Sequence, residues 1–264
     1  MAVVVDINGL GADSCARPEG GLSEAQARQR YYRVVLMVTL ALDTSTRMGS
    51  CAVVRGDLVL AEVPGDPARS HGERLPADLM TALDRAGCAL ADVDVFAVAI
   101  GPGSFTGLRV GIAAMQGLAL AAARPLVGIS ALDALARAAA GDSPRRVATW
   151  VDAWRGEVFA ALYDDGVLVE PATVERPQRL LARLPPGPTL FIGDGAAAHR
   201  DAIRAALGPS AELPETLEPA LAGIIGRMAL AEVRAGQRPG PADIQALYVR
   251  RPDVEIAREA HGPS

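Results

Sequence analysis

Gly101-Pro102-Gly103-Ser104-Phe105-Thr106-Gly107-Leu108-Arg109 is the stretch on which the reading of this chain turns. It follows an apolar run, Val93 to Ile100, that predicts a buried strand, and it leads into Leu108 to Ala123, which predicts a helix. Glycines at 101, 103 and 107 let the backbone turn tightly and come close to whatever lies above the strand end. Ser104 and Thr106 are placed to cap the new helix, whose free N–H groups favour an anion or a polar partner. A phosphate-binding loop is the first reading to test, with a plain strand-to-helix turn beside it.

One compositional fact counts against the phosphate loop. All 26 basic residues are arginine, so the chain has no lysine. A P-loop NTPase needs a Lys after its last glycine to reach the phosphates, and that position holds Leu108. Schiff-base and pyridoxal-lysine chemistry are excluded for the same reason. The dinucleotide pattern fits poorly too: Gly101-x-Gly103-x-x-x-Gly107 has one residue too many, and it follows a middle strand rather than the first.

The rest of the composition sets bounds. The 264 residues suffice for one large domain or two small ones with a real core. Half the residues are hydrophobic but only 4% are aromatic, so the core must be built from Ala, Val and Leu. A net charge of -5 and a pI near 5.3 argue against a free-standing nucleic-acid binder. Arg145-Arg146 and Arg250-Arg251 are short pairs that read as solvated surface. Cys15, Cys51 and Cys88 form no C-x-x-C, which points to a reducing compartment and no zinc site. His71, His199 and His261 form no H-x-x-x-H, so no metal centre is expected. No apolar run is read as long enough to span a bilayer. Val34 to Leu42 resembles a signal-peptide core, but it is β-branched, lacks a small-residue cleavage site and runs into Asp43-Thr44-Ser45-Thr46. It predicts a strand in a cytoplasmic protein.

Working outward, residues 1–36 read as a flexible N-terminal extension, or as sequence ahead of a true start at Met37. Val38 to Leu42, Ser50 to Arg55 and Leu58 to Val63 predict three short strands joined by tight turns, an antiparallel meander. After the loop Pro64 to Ser70, a helix fits from Glu73, with Leu75, Leu79, Ala82, Leu83 and Ala86 on one face and Gly87 at its end. The order β-β-β-α-β-α is not a Rossmann order. It resembles the nucleotide-binding lobe of actin, sugar kinases and Hsp70.

Pro125 to Ile129 predicts another strand, and Ser130 caps a helix from Ala131 to Ala140. Gly141 to Pro144 reads as a hinge-like break. A second strand set follows at Arg146 to Val151, Glu157 to Tyr163 and Gly166 to Glu170, then Thr189 to Ile192 ending in Gly193-Asp194-Gly195. Helices are predicted at Ala197 to Leu207 and Leu217 to Ala235, before Pro239-Gly240-Pro241. The expected class is α/β with two related lobes: a first at 37–135, a reduced second at 136–251 whose last helix packs back on the first, and a tail at 252–264.

At this point the residues resemble a family, TsaB (YeaZ). The likeness runs from about Met37 to Arg251. It rests on Leu40-Ala41-Leu42-Asp43-Thr44-Ser45-Thr46, on His71-Gly72-Glu73-Arg74-Leu75-Pro76, and on the loop Gly101 to Arg109 with Val110-Gly111. Asp152-Ala153-Trp154-Arg155-Gly156-Glu157-Val158-Phe159, Ile192-Gly193-Asp194-Gly195-Ala196 and Leu247-Tyr248-Val249-Arg250 also fit. Trp154 stands where the family usually has a basic or small residue, and Phe159 where it often has Tyr. The resemblance implies an ASKHA-type fold with a complete first lobe and a shortened second. It implies a heterodimer with TsaD, assembly with the ATPase TsaE, and support for forming threonylcarbamoyladenosine beside the tRNA anticodon. No transferase chemistry of its own is implied. Two copies are expected to pair when TsaD is absent, and tRNA is met only through the complex.

The residue inventory bears on enzyme against scaffold. Asp43, Thr44 and Ser45 could be a first phosphate loop, and Gly193, Asp194 and Gly195 a relic of the second. After Gly195 the chain reads Ala196-Ala197-Ala198-His199-Arg200, with no glycine pair to bracket adenine. The metal-binding histidine pair of the TsaD half-family is missing, since Leu75 stands four residues after His71. Asp43 is open to two readings, a metal carboxylate or a strand-closing turn residue. No cofactor is expected to be required by this chain; ATP or ADP is expected, if anywhere, at the complex interface. The helix Leu108 to Ala123 is apolar nearly all round, with only Arg109 and Gln116 polar, so it must be covered on more than one side. One face is assigned to its own sheet and another to a bundle with the partner, with a helix buried between sheet and neighbours within the one chain as the alternative. The expected partner surface is Leu79, Leu83, Leu108, Gly111, Ile112, Met115 and Ala119. The alternative is a small ASKHA ATPase or kinase, with Mg-dependent hydrolysis lost in Asp43→Ala. A glycoprotease reading finds no nucleophile or metal constellation.

Overall fold

The computed structural model describes residues 36–139 and 145–249. The N-terminal extension up to residue 35, the break at 140–144, and residues 250–264 with Arg250, Arg251, the tail and His261 lie outside the described residues, as does Cys15. The elements below belong to the unit that begins at Met37.

The meander forms where turn chemistry puts it: β1 (Val38–Asp43), β2 (Ser50–Arg55) and β3 (Leu58–Pro64) pair antiparallel. Every residue of β1 is buried, the mark of a central strand covered on both faces. Helix α1 (His71–Ala86) follows. The Glu73 carboxylate accepts from both the amide and the hydroxyl of Ser70 at its start, and Gly87, at φ 62°, closes it. Strand β4 (Val95–Gly101) then pairs parallel with β1. Helix α2 (Phe105–Ala122) begins at Ser104, whose Oγ accepts from the Gly107 amide at 3.2 Å. Thr106 lies inside the first turn and caps nothing. Strand β5 (Leu126–Ser130) pairs with β4, and Ser130 caps α3 (Ala131–Ala139) through the Asp133 amide.

The second sheet repeats this plan with β6 (Arg146–Asp152), β7 (Val158–Asp164), β8 (Val167–Glu175), β9 (Thr189–Ile192) and β10 (Ala211–Glu212). The first sheet runs β3-β2-β1-β4-β5 and the second β8-β7-β6-β9-β10. In each, an antiparallel meander gives way to parallel strands reached by helical crossovers. Strand β8 continues past Glu170 through Pro171, which an edge strand tolerates. Pro177 opens a short α4 (Pro177–Arg183) that carries too few periodic residues to be expected from sequence.

Two predicted helices differ. The one placed at 197–207 is two, α5 (Asp194–Ala198) and α6 (Arg200–Leu207), meeting at His199. Gly193, at φ 111°, turns the chain early enough for α5 to start at Asp194. The helix placed at 217–235 is α7 (Ala222–Arg234). The amides of Leu221 and Ala222 donate instead to Ser50 Oγ in the first lobe, at 3.2 and 3.0 Å, and Leu217 offers its carbonyl to Gly193. A distant side chain thus does the work of the N-terminal cap.

Helix α7 crosses the first sheet, where Gly226 lets it meet Val54 and Ala41 closely. One apolar cluster holds Ala41, Ala52 and Ile129 together with Val151, Phe159 and Ile192, so the lobes share a core. Beyond α7 the chain returns as a strap, 236–249, along the first lobe. Gln116 donates to the carbonyls of Pro241 and Ile244 at 2.9 and 3.0 Å, and the Leu247 amide to Ile100 at 2.7 Å. Gln116 and Arg109 of α2 are therefore both strap anchors, since Arg109 Nε also donates to the Tyr248 hydroxyl at 3.0 Å. With 18 residues and mean hydropathy 1.3, α2 is long and apolar enough to cross a membrane, contrary to the sequence expectation. Here it packs on its own sheet, on α1 and under the strap.

Candidate functional site

The 101–109 loop, tested first as a phosphate cradle, is covered. The Ser104 amide donates to the Ser45 carbonyl at 2.7 Å, and the Leu108 amide to Ser104. A Cβ at Gly103 would overlap the Ser45 backbone, and one at Gly111 the Thr44 side chain. Gly101 needs its glycine for a different reason, a φ of 107°. The glycines therefore bring the head of α2 against the β1–β2 turn, and the loop fixes the angle at which the helix leaves the sheet.

That turn is held from within and from beneath. Asp43 Oδ1 accepts from the amide and hydroxyl of Ser45 at 2.8 and 2.6 Å, an Asx-turn that closes β1. Burial raises the Asp43 carboxyl well above the usual range, and the two Ser45 bonds offset this in part. From α1, buried Arg74 donates to the Met48 carbonyl, to Asp78 and to His71 Nδ1. Arginine only donates, so Nδ1 is the acceptor and the His71 proton sits on Nε2, which gives it to the Thr46 carbonyl at 2.9 Å. Burial, then Arg74, lowers the His71 pKa in keeping with this neutral tautomer. His71 and Arg74 are structural clamps that sequence reading left without a role.

Between the lobes lies an open cleft of about 130 Å³, lined in part by Asp43, Thr46, Met48, Asp194 and Glu218. Asp194 Oδ1 accepts from the Asp152 amide at 2.9 Å, joining β9 to β6. Burial, with Asp152 nearby, pushes its carboxyl up to about 6. By position, the second-lobe counterpart of the 43–49 turn is 152–157, where Asp152 Oδ1 accepts from the Trp154 amide as Asp43 does from Ser45. Gly193-Asp194-Gly195 follows the parallel strand β9 as the 101–107 loop follows β4, and so corresponds to that loop by position. The cleft is small, and the carboxylates of Asp43, Asp194 and Glu218 rather than cations line it. Among the described residues no group of His, Cys, Asp and Glu could hold a metal ion.

The helix pair carries the other candidate surface, on a different face from the one expected. Leu79, Leu83, Leu108, Gly111, Ile112, Met115 and Ala119 are all buried, six of them in the core between the helices and the first sheet. α2 has apolar side chains on every side, and Leu108, Ile112 and Met115 are the ones it packs into the core. The exposed face consists of Thr106, Ala113, Gly117 and Leu120 on α2, with Pro76, Ala77 and Met80 on α1. Leu120 is 74% exposed and Met80 54%. At the head of α2, Arg109 lies 3.8 Å over the Phe105 ring and close to Tyr248, all three at the surface.

The duplicated five-stranded sheets, facing each other across a cleft, define an ASKHA-type two-lobe protein. Residues 62–216 match the family model described as TsaD: tRNA N6-adenosine threonylcarbamoyltransferase. A Mycobacterium tuberculosis protein is 37% identical over 227 residues, covering 84% of this chain and 96% of its own. The tRNA threonylcarbamoyladenosine biosynthesis protein TsaB of Bacillus subtilis is 30% identical over 178 residues, 65% of this chain and 77% of its own. The solved structure of YeaZ from Pseudomonas aeruginosa superimposes with a TM-score of 0.66 at 30% identity, covering 80% of this chain and 99% of that one. The chain belongs to the TsaB (YeaZ) family.

Proposed function

We propose that this chain is an accessory subunit of tRNA threonylcarbamoyladenosine synthesis in the cytoplasm, with no catalysis of its own. It docks on TsaD through the exposed face of α1 and α2, assembles with TsaE, and supports transfer of the threonylcarbamoyl group to the adenosine next to the anticodon. The observation that carries this reading is the outer face of α2. Thr106, Ala113 and Gly117, with Leu120 beyond them, leave an uncharged stripe of mostly small residues uncovered on a helix whose opposite face packs within the chain. Such a stripe admits a second helix at close range. Without TsaD, the same face pairs two copies. Any ATP or ADP in the assembly is held chiefly by the partners, because the cleft here is small and acidic.

Reconstitution tests it. Modification of tRNA by TsaD and TsaE with threonylcarbamoyl-adenylate is expected to need this chain, and the chain alone is expected to turn over nothing. Mg-dependent nucleotide hydrolysis by the isolated chain, abolished in Asp43→Ala, would overturn the proposal in favour of a small ATPase.

A further inference from the structure

The group formed by Phe105, Arg109 and Tyr248 is not accounted for by the core. All three side chains are at the surface, yet their geometry is fixed. Phe105 and Tyr248 stand 5.4 Å apart, the Arg109 guanidinium lies 3.8 Å over the Phe105 ring, and its Nε donates to the Tyr248 hydroxyl. Tyr248 comes from the strap, so two elements far apart in sequence are spent on holding one exposed cation flat. Its four terminal N–H donors meet no carboxylate or other acceptor among the described residues. A guanidinium held by stacking, with its outer edge open, is set for a planar two-oxygen partner.

The position of the cation narrows the partner. On α2, residues 106, 109, 113, 117 and 120 fall at helical spacing along one face, and 106, 113 and 120 are seven apart. Arg109 is the only charge on that line. Phe, Tyr and Arg gathered beside an apolar stripe is the composition of a protein–protein hot spot. The net charge of -5 opposes the alternative, a nucleic-acid phosphate.

We infer that Arg109, held by Phe105 and Tyr248, receives an Asp or Glu side chain from a partner helix laid along the exposed stripe of α2, and so fixes which way that helix runs. This rests on the proposed docking to TsaD and names the chemistry that TsaD must present. Desolvating an ion pair at the end of an uncharged seam penalises the reversed orientation, which would leave both charges unpaired.

The test is binding of TsaD to the full chain by calorimetry at low and high salt. Arg109→Gln is expected to weaken binding about tenfold and flatten its salt dependence. Arg109→Glu should weaken it further. Tyr248→Phe, which keeps the ring and loses only the hydroxyl, should fall between wild type and Arg109→Gln. Thermal melts of the free variants are expected to shift only slightly, because Arg109 and Tyr248 lie at the surface and their one bond anchors only the end of the strap. If wild type itself forms no complex, the docking proposal and this inference fall together. If the complex forms and Arg109→Glu binds within twofold of wild type with the same salt slope, the inference alone is overturned. Unchanged TsaD affinity with loss of tRNA from the assembled complex also overturns it, and reassigns the guanidinium to phosphate.

Discussion

Asp194 shows how a single carboxylate can be both structural and costly. Its oxygen ties β9 to β6 through the Asp152 amide and also accepts from Gly195 at 2.9 Å, but burial raises its pKa from 3.8 to about 6. A raised carboxyl binds its proton more tightly when folded, so its contribution is fully present below about pH 4 and lost as pH rises through 6. The loss above pH 6 amounts to roughly 3 kcal/mol at most. Asp194→Asn keeps the carbonyl acceptor and removes the charge. Urea unfolding should find it equal to wild type near pH 4 and more stable by roughly 1–3 kcal/mol at pH 8; parallel curves at both pH values would refute this. At this scale sequence was informative where a residue acts on its neighbours: Asp43 closing a turn is a local event visible in Asp-Thr-Ser. The clamp by His71 and Arg74 was not visible, since its acceptors, the carbonyls of Thr46 and Met48, lie more than twenty positions away.

At the scale of elements, α2 is the clearest case of a half-legible signal. Its all-round apolar surface correctly called for cover on several sides, but composition does not say which side meets what. The structure turns Leu108, Ile112 and Met115 to the sheet and leaves Thr106, Ala113, Gly117 and Leu120 outside, so the residues expected to meet the partner are core. Met115, fully buried, belongs to the core, so Met115→Asp is expected to unfold the chain rather than release a partner selectively. Gly117 is the better probe, because a Cβ there meets nothing within 4 Å. Gly117→Ala should stabilise the free chain by roughly 0.5–1 kcal/mol through helix propensity. On the proposed docking it should weaken TsaD binding, so a melt and a binding isotherm moving in opposite directions are the expected pair of results. The strap was illegible because residues 236–249 have no apolar periodicity; it is held by particular donors. Gln116→Ala removes two of its hydrogen bonds and is expected to cost about 1–3 kcal/mol locally. Faster amide exchange confined to the strap and the head of α2 would record that loss.

For the whole molecule, the repeated sheet order was readable because two tight turns, and a glycine loop leading from a strand into a helix, recur in both halves. The shared core was not readable, since it depends on contacts such as Ser50 with Leu221, 171 residues apart. Those contacts make a prediction about cooperativity. Helix α7 comes from the C-terminal half yet covers β1, β2 and β4, and one apolar cluster draws on both sheets. Tyr163 on β7 donates to Asp133 on α3 at 2.6 Å, at the junction of the halves. If the lobes were independent, Tyr163→Phe would loosen only the second. With a common core, losing that bond should cost about 1–2 kcal/mol to both lobes together. Hydrogen exchange under mild denaturant should therefore speed by the same factor in β2 and β7, because the slowest amides of each sheet exchange through one global opening. By the same reasoning residues 37–139 expressed alone should fail to fold, since the face of β1 and β4 that α7 covers would be exposed. Protection of β2 amides in that fragment, or a faster rate confined to β7 in Tyr163→Phe, would separate the lobes and remove the basis for treating them as one cooperative unit.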